Sequence, residues 1–224
     1  MLASSTVENY LKAIYQGQSA LEGKEDFVSM GSVAASLGVT PGTATTMIKT
    51  LAESGLVVYE PSTGVRLTRA GEKLAALVVR RHRLVELFLV QVMGMSWADV
   101  HDDAELLEHA VSDRLIDRMD EMLGRPTYDP HGDPIPNQEG SVAPRELHSL
   151  LTCPTGTPLR VTRIADQDPA FLRFIEHNHL KPGEPVEVET RDAAADAVQL
   201  RGKDQRSITI GARAASKLLV EVAP

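Results

Sequence analysis

Cysteine is nearly absent from this chain: Cys153 is the one cysteine in 224 residues. A lone thiol can form no disulfide framework within a chain and no cysteine-rich zinc site. It fits a reducing compartment, and a cytoplasmic protein is expected. Aromatic residues make up only 4%, so the cores must rest on Leu, Val, Ile, Ala and Met. No apolar run approaches the roughly 18 residues that a membrane span needs. The N-terminus "MLASSTVENYLKAIY" lacks the basic-then-apolar order of a signal peptide. Positive charge is also short: the formal net charge is -8 and the pI is near 5.4. A chain this acidic is not built throughout for nucleic acid, so any DNA contact must come from a local surface.

What is present suffices for two or three small domains, with 42% hydrophobic residues and no internal repeat. The spacing predicts a helix over 6–16, with Thr6 as N-cap and Val7, Leu11, Ile14 and Tyr15 as an apolar stripe. A polar connection follows over 17–27. Ser29 can cap a helix whose face carries Val33, Ala34 and Leu37, and Gly38 ends it. Thr40 then caps a helix with Pro41 at its first position, Met47, Ile48 and Leu51 facing inward, and Gly55 stopping it. "LVVYEPSTGVRLT" alternates about the turn Pro61–Gly64 and reads as a β-hairpin. Helix, helix–turn–helix and hairpin in that order are a winged helix-turn-helix.

From Arg69 a long amphipathic helix is expected, with Leu74, Leu77, Val78, Leu84, Phe88 and Leu89 available for packing. One or two helices follow between Asp99 and Leu123. "GRPTYDPHGDPIPNQEG" is too rich in Pro, Gly and Asp for regular structure. From Leu151 the pattern changes to short alternating segments, "TPLRVTRI", "PVEVETRD", "AVQLRG" and "SITIGA". One short helix interrupts them at "PAFLRFIEHNHLKPG", which suggests a small β-barrel. The fold class is mainly α with β, in three domains over 1–73, 74–143 and 144–224.

The chemistry concentrates in two places. Glu105, Glu108 and His109 stand at i, i+3 and i+4, and His82 and Glu86 at i and i+4 on the preceding long helix. Two such helices side by side would gather carboxylates and imidazoles, a donor set suited to Mn²⁺ or Fe²⁺ and free of thiolate. On the second predicted helix of the helix-turn-helix, the outward residues are Thr40, Gly42, Thr43, Thr45, Thr46 and Lys49, with Arg66 in the wing. They suit phosphate contacts, thymine-methyl contacts and reading of DNA shape more than guanine readout. Residues 1–73 carry six Lys or Arg against seven Asp or Glu, so affinity per protomer should be modest.

The segments "ENYLKAIY", "TPGTATTMIKTLAESGLVVYE", "LTRAGEKLA", "RRHRLVELFL", "VHDDAELLEHAVSD", "DPHGDPIP" and "LKPGEPVEV" occur in one order along the chain. Together they resemble the diphtheria-toxin-repressor family of metal-dependent transcriptional regulators, in its three-domain manganese-responsive branch. The resemblance implies a homodimer that binds operator DNA when loaded with divalent metal and controls metal-transport genes. Its third domain would be a small barrel of the Src-homology-3-like, ferrous-transport-protein-A-like type. It implies a primary metal site of Glu105, Glu108 and His109 with a first-helix donor at Asn9, or at neighbouring Glu8. Asn9 departs from the acid of manganese-responsive relatives, and Lys12 argues against the paired-metal arrangement of two-domain relatives. It implies an ancillary site of His82, Glu86 and His101, with Asp129 and His131 from the loop and Asp168 or Asp166 from the barrel. Mn²⁺ is the expected ion, with Fe²⁺ next. Two other readings compete: a winged-helix regulator whose acidic pocket is structural and senses another ligand, and a carboxylate-bridged dimetal enzyme. The enzyme would need a second Glu-x-x-His element, which the sequence does not supply.

Overall fold

A computed structural model of the chain describes residues 4–19, 27–143 and 145–223, without the side chain of residue 204. It divides into two compact units, 1–82 with 136–142 and 83–135 with 143–224. Most of the polar connection expected over 17–27 lies outside the described residues.

In the first unit, α1 (Ser5–Ser19) buries Tyr10, Leu11 and Ile14. It starts before Thr6: the Ser4 hydroxyl accepts from the Val7 N–H at 3.4 Å, so Ser4 serves the first turn and Thr6 lies inside it. Next come α2 (Met30–Ser36) and α3 (Pro41–Glu53). Ser29 caps α2 by accepting from Ser32 N–H, and Thr40 caps α3 by accepting from Thr43 N–H at 3.2 Å. Gly38 and Gly55 follow the two helices in the left-handed region, at φ +63° and +72°. Strands β1 (Val57–Glu60) and β2 (Gly64–Leu67) pair antiparallel in the register Val57 with Leu67. Gly64, at φ +139°, brings the wing against Val28, whose carbonyl oxygen would sit 2.3 Å from an added Cβ. Ile14, Ile48 and Leu51 anchor this core. Each fully buried aliphatic side chain contributes about 1.5–3 kcal/mol.

Helix α4 (Arg69–Gln91) runs through the division between His82 and Arg83. Its buried residues include Ala75, Ala76, Val78, Val79, Leu84, Val85 and Leu89. Leu74, expected to pack, is 39% exposed, because the inner face of the first turns is taken by the two alanines beside it. Segment 136–142 returns to this half of α4: Arg80 donates to the Pro136 carbonyl at 2.9 Å, and Gly140 lies against Ala76.

The second unit holds the rest of α4, α5 (Val100–Glu108), α6 (Asp113–Met122) and an irregular loop through 124–135. After them come β3 (His148–Ser149), β4 (Leu159–Ile164), α7 (Pro169–His177), β5 (Pro185–Asp192), β6 (Ala197–Arg201), β7 (Ser207–Gly211), α8 (Ala212–Ala215) and β8 (Leu218–Val222). The strands form one antiparallel sheet in the order β3-β8-β4-β5-β6-β7, with bulges in β4 and β5 that curl it. Trp97 and Ala98, just before α5, belong to the same apolar core as this sheet. The architecture is mainly α with β: a winged helix-turn-helix, a helical segment and a small Src-homology-3-like sheet domain. No helix among the described residues is long and apolar enough to cross a membrane.

Candidate metal centre and nucleic-acid interface

Within the second unit, α5 and the loop after α6 each bring polar groups to Glu86 on α4. Glu86 is fully buried on α4, and its Oε1 faces His101 Nδ1 on α5 at 3.1 Å. His101 Nε2 in turn lies 3.7 Å from Glu105, one turn further along α5. On the other side, His131 Nδ1 lies 3.8 Å from Glu86 Oε2. Glu86, Asp129 and His131 each offer a ligand atom, all within 4.8 Å of one another, and all three residues are buried.

Local chemistry fixes how the loop presents its donors. Asp129 Oδ1 accepts from the backbone N–H of His131 at 2.8 Å and of Asp133 at 2.9 Å, which folds 129–133 into a tight turn. That leaves Asp129 Oδ2 buried with no hydrogen-bond partner. His131 Nε2 is 2.8 Å from the Trp97 carbonyl oxygen, which can only accept, so the proton sits on Nε2. With that tautomer the Nδ1 lone pair is the one left to bind a ligand, and Nδ1 is buried with no hydrogen-bond partner. A backbone carbonyl that orients a histidine in this way is the usual support of a metal ligand. The carboxyl of Asp129 is held well above the usual carboxylate range, first by burial and then by the charges of Asp133 and Glu86, against the pull of Arg83. Unsatisfied buried donors of hard and borderline type, gathered at one point, fit a divalent cation.

The remaining expected ligands are placed as follows. His82 is buried on α4, one turn before Glu86. Glu108 is fully buried at the end of α5, and its Oε1 lies 3.3 Å from His109 Nε2. His109 is the C-cap residue of α5 and keeps right-handed backbone angles, so the three-residue turn with Glu105 stays intact. In the first unit, Glu8 is buried and its Oε1 lies 3.7 Å from Arg81; Asn9 beside it is half-buried. Asp168 is the N-cap of α7, accepting from Phe171 N–H at 2.9 Å. Asp166 pairs with Lys217, whose hydrogen bond holds its carboxyl below the usual range. From the barrel, Gln167 reaches the loop and donates to Asp133 Oδ2 at 3.1 Å, and Arg163 Nε lies 2.7 Å from Asp133 Oδ1. Asp133, Arg83, Arg163 and Gln167 are partners that spacing in the sequence does not reveal.

On α3, Thr40, Gly42, Thr43, Thr46 and Lys49 are exposed and Thr45 is half-buried. The threonines are not idle: Thr45 and Thr46 donate to the Pro41 and Gly42 carbonyls at 2.8 and 3.0 Å, and the hydroxyls of Thr40 and Thr43 bond each other. In the wing, the Arg66 guanidinium lies over the Phe27 ring at 5.4 Å.

Comparison with known proteins covers the chain in three blocks. Residues 1–65 match the family described as "Iron dependent repressor, N-terminal DNA binding domain". Residues 68–137 match "Iron dependent repressor, metal binding and dimerisation domain", and 148–222 match the FeoA domain. The diphtheria toxin repressor of Corynebacterium efficiens is 34% identical over 161 residues, 70% of this chain and 68% of that protein. The iron-dependent repressor IdeR of Mycobacterium leprae is 28% identical over 211 residues, 89% of this chain and 90% of its own. A solved structure titled "Manganese-dependent transcriptional repressor complex with manganese" superimposes with a TM-score of 0.87 at 39% identity. The match covers 97% of this chain and all of that one. The manganese regulator SloR follows the same fold at 30% identity and a TM-score of 0.75, over 97% of this chain and 98% of its own. Three of these relatives are named as repressors and SloR as a manganese regulator, and none is named as an enzyme. Taken with the winged helix and the buried donor cluster, they establish that this chain belongs to the diphtheria-toxin-repressor (iron-dependent-repressor) family of metal-dependent transcriptional repressors.

Proposed function

We propose that this protein is a cytoplasmic homodimer that binds operator DNA when loaded with Mn²⁺, or secondarily Fe²⁺, and represses metal-transport genes. The observation that carries the proposal is the buried meeting of Glu86, Asp129 and His131, in which Asp129 Oδ2 and His131 Nδ1 have no hydrogen-bond partner. Oxygen and imidazole donors without thiolate favour manganese over softer ions. The similar structure solved with manganese supports the same choice.

The ancillary ligands on this proposal are Glu86, His101, Asp129 and His131, with His82 one turn away on α4. The primary set is Glu105, Glu108 and His109, with Asn9 as the first-helix donor, since the Glu8 carboxylate faces Arg81. A bound ion would supply the positive charge that cancels repulsion among these carboxylates. The residues do the rest: Trp97 holds the His131 tautomer, Arg83 lies 3.7 Å from Asp129 Oδ2, and the turn around Asp129 fixes its direction. Ligands on α1 and on α5 would restrict how the winged domain is held, and so select one spacing of the two recognition helices. The domain limits 1–73, 74–143 and 144–224 belong to the same proposal. Exposed Leu106, Leu107, Leu115 and Met122, on α5 and α6, suit the dimer face.

Operator binding followed by fluorescence anisotropy, with and without Mn²⁺, tests the proposal. Tighter binding with the ion is expected, and equal affinity in both conditions would overturn it.

A further inference from the structure

The loop that carries Asp129 and His131 does not stand by itself. It is built onto strand β4 of the C-terminal sheet, and three features show it. The His131 carbonyl accepts from the Ile164 N–H at 2.9 Å. Gly132, at φ +84°, lies so close to β4 that an added Cβ would come within 1.8 Å of the Thr162 oxygen. Asp133 is gripped from the sheet side by Arg163, whose Nε is 2.7 Å from Oδ1, and by Gln167, which donates to Oδ2 at 3.1 Å. The Arg163 contact is a close ion pair, not an aligned hydrogen bond.

The strand is shaped for this. Its register against β8 shifts between Val161 and Arg163, a bulge that re-aims the side chain following it. Arg83 completes the frame from α4, with its Nη2 3.6 Å from Asp133 Oδ1 and a further hydrogen bond to the Pro134 carbonyl. Asp133 is not one of the three clustered donors, though its charge acts on Asp129. Its place between two arginines and a glutamine fixes the far end of a five-residue turn whose near end and middle are the proposed ligands.

We infer that Arg163 and Gln167 are positioning residues for the metal-binding loop, and that Mn²⁺ loading and attachment of the C-terminal sheet are coupled through Asp133 and the Ile164–His131 bond. The inference rests on the proposed assignment of Asp129 and His131 as ligands. Coupling of this kind is reciprocal: whatever the sheet does for metal affinity, the metal does for the sheet.

The test uses the full chain. Mn²⁺ is titrated calorimetrically into the wild type, Arg163→Gln, Gln167→Leu, Arg163→Lys and Asp129→Ala. Arg160→Gln serves as a control, since Arg160 lies on the same strand but bonds the Gly183 carbonyl. Outer partners of metal ligands typically change affinity by about 10–100-fold, so Arg163→Gln should weaken one Mn²⁺ equilibrium by roughly 10-fold. The other equilibria and the Arg160→Gln control should not move. Arg163→Lys, which keeps the charge, should recover part of the loss, which a mere packing defect would not allow. Amide exchange supplies the reciprocal readout: Mn²⁺ should slow exchange at Ile164 in the wild type and not in Asp129→Ala. Folded Arg163→Gln with all Mn²⁺ equilibria unchanged would overturn the inference while leaving the ligand assignment standing. If Asp129→Ala also bound every ion as the wild type does, the ligand assignment would fall, and the inference with it.

Discussion

At the level of single residues, burial decides which groups can act. Cys153 is 1% exposed in the core of the sheet. Burial pushes its thiol above the usual value, against a smaller opposing pull from Arg191, which donates to the sulfur at 3.2 Å and to the Leu150 carbonyl at 2.9 Å. A protonated, enclosed thiol is a poor nucleophile and a poor metal ligand. Native protein at neutral pH should therefore not react with a thiol-labelling disulfide reagent, and should react once per chain in denaturant; rapid native labelling would contradict this. His131 is the opposite case, since its enclosed Nδ1 is aimed at Glu86 and Asp129. His131→Ala is expected to remove one Mn²⁺ equilibrium from a calorimetric titration while the remaining ions bind as before. Asp129 and His131 stand out in "DPHGD" only through the family resemblance, which implies that this loop adds ligands. The Trp97 carbonyl that sets the tautomer is not legible, because a backbone atom 34 residues away leaves no side-chain signature. Asp168 shows how one residue type serves two purposes. An aspartate before Pro169 and an apolar helix is itself a cap signature, and the structure uses its carboxylate that way.

At the level of elements, the proposed function gives α3 both stability and recognition, and the two can be separated by mutation. Thr40 is the cap, so Thr40→Ala should cost about 1 kcal/mol in a urea titration, with or without DNA present. Lys49 is exposed and far from the cap, so Lys49→Ala should leave stability within about 0.5 kcal/mol. It should instead weaken operator binding about equally for different sequences and lower the salt slope by about one. A changed sequence preference with an unchanged salt slope would mean that Lys49 reads a base. Helices and strands are legible here because capping residues, glycine stops and period-two alternation act over a few residues. β5 runs from Pro185 to Asp192 as its alternation predicts, and α3 starts at Pro41 after Thr40. Leu74 is less legible because a helix stripe shows which residues share a face, while exposure depends on what packs there. Nor do the threonine hydroxyls of α3 reveal in sequence that they bond back to Pro41 and Gly42. Reaching a phosphate means giving those bonds up, which lowers the net gain from each contact.

At the level of the whole molecule, the difficulty is charge. The winged domain brings six basic residues against seven acidic ones, and the chain as a whole carries -8. Phosphate attraction per protomer is therefore weak, and stable binding must come from engaging two half-sites at once. That makes the dimer a condition of function. The exposed apolar side chains of α5 and α6 locate the expected contact: Leu106 is 76% exposed and Met122 56%. Leu106→Glu removes no buried group, so the monomer's melting behaviour should change little. The charge should nevertheless split the dimer, seen as a halved mass in sedimentation, because a like-charged pair placed in an apolar interface is costly. Linked binding can exceed single-module affinity by about 10²–10⁴, so the monomeric variant should lose operator affinity of that order even in saturating Mn²⁺. Its Glu86, Asp129 and His131 lie together within one chain, so it should still take up Mn²⁺ there. Retained Mn²⁺ binding with lost DNA binding would separate sensing from assembly. A variant that stayed dimeric with full operator affinity would move the dimer contact away from α5.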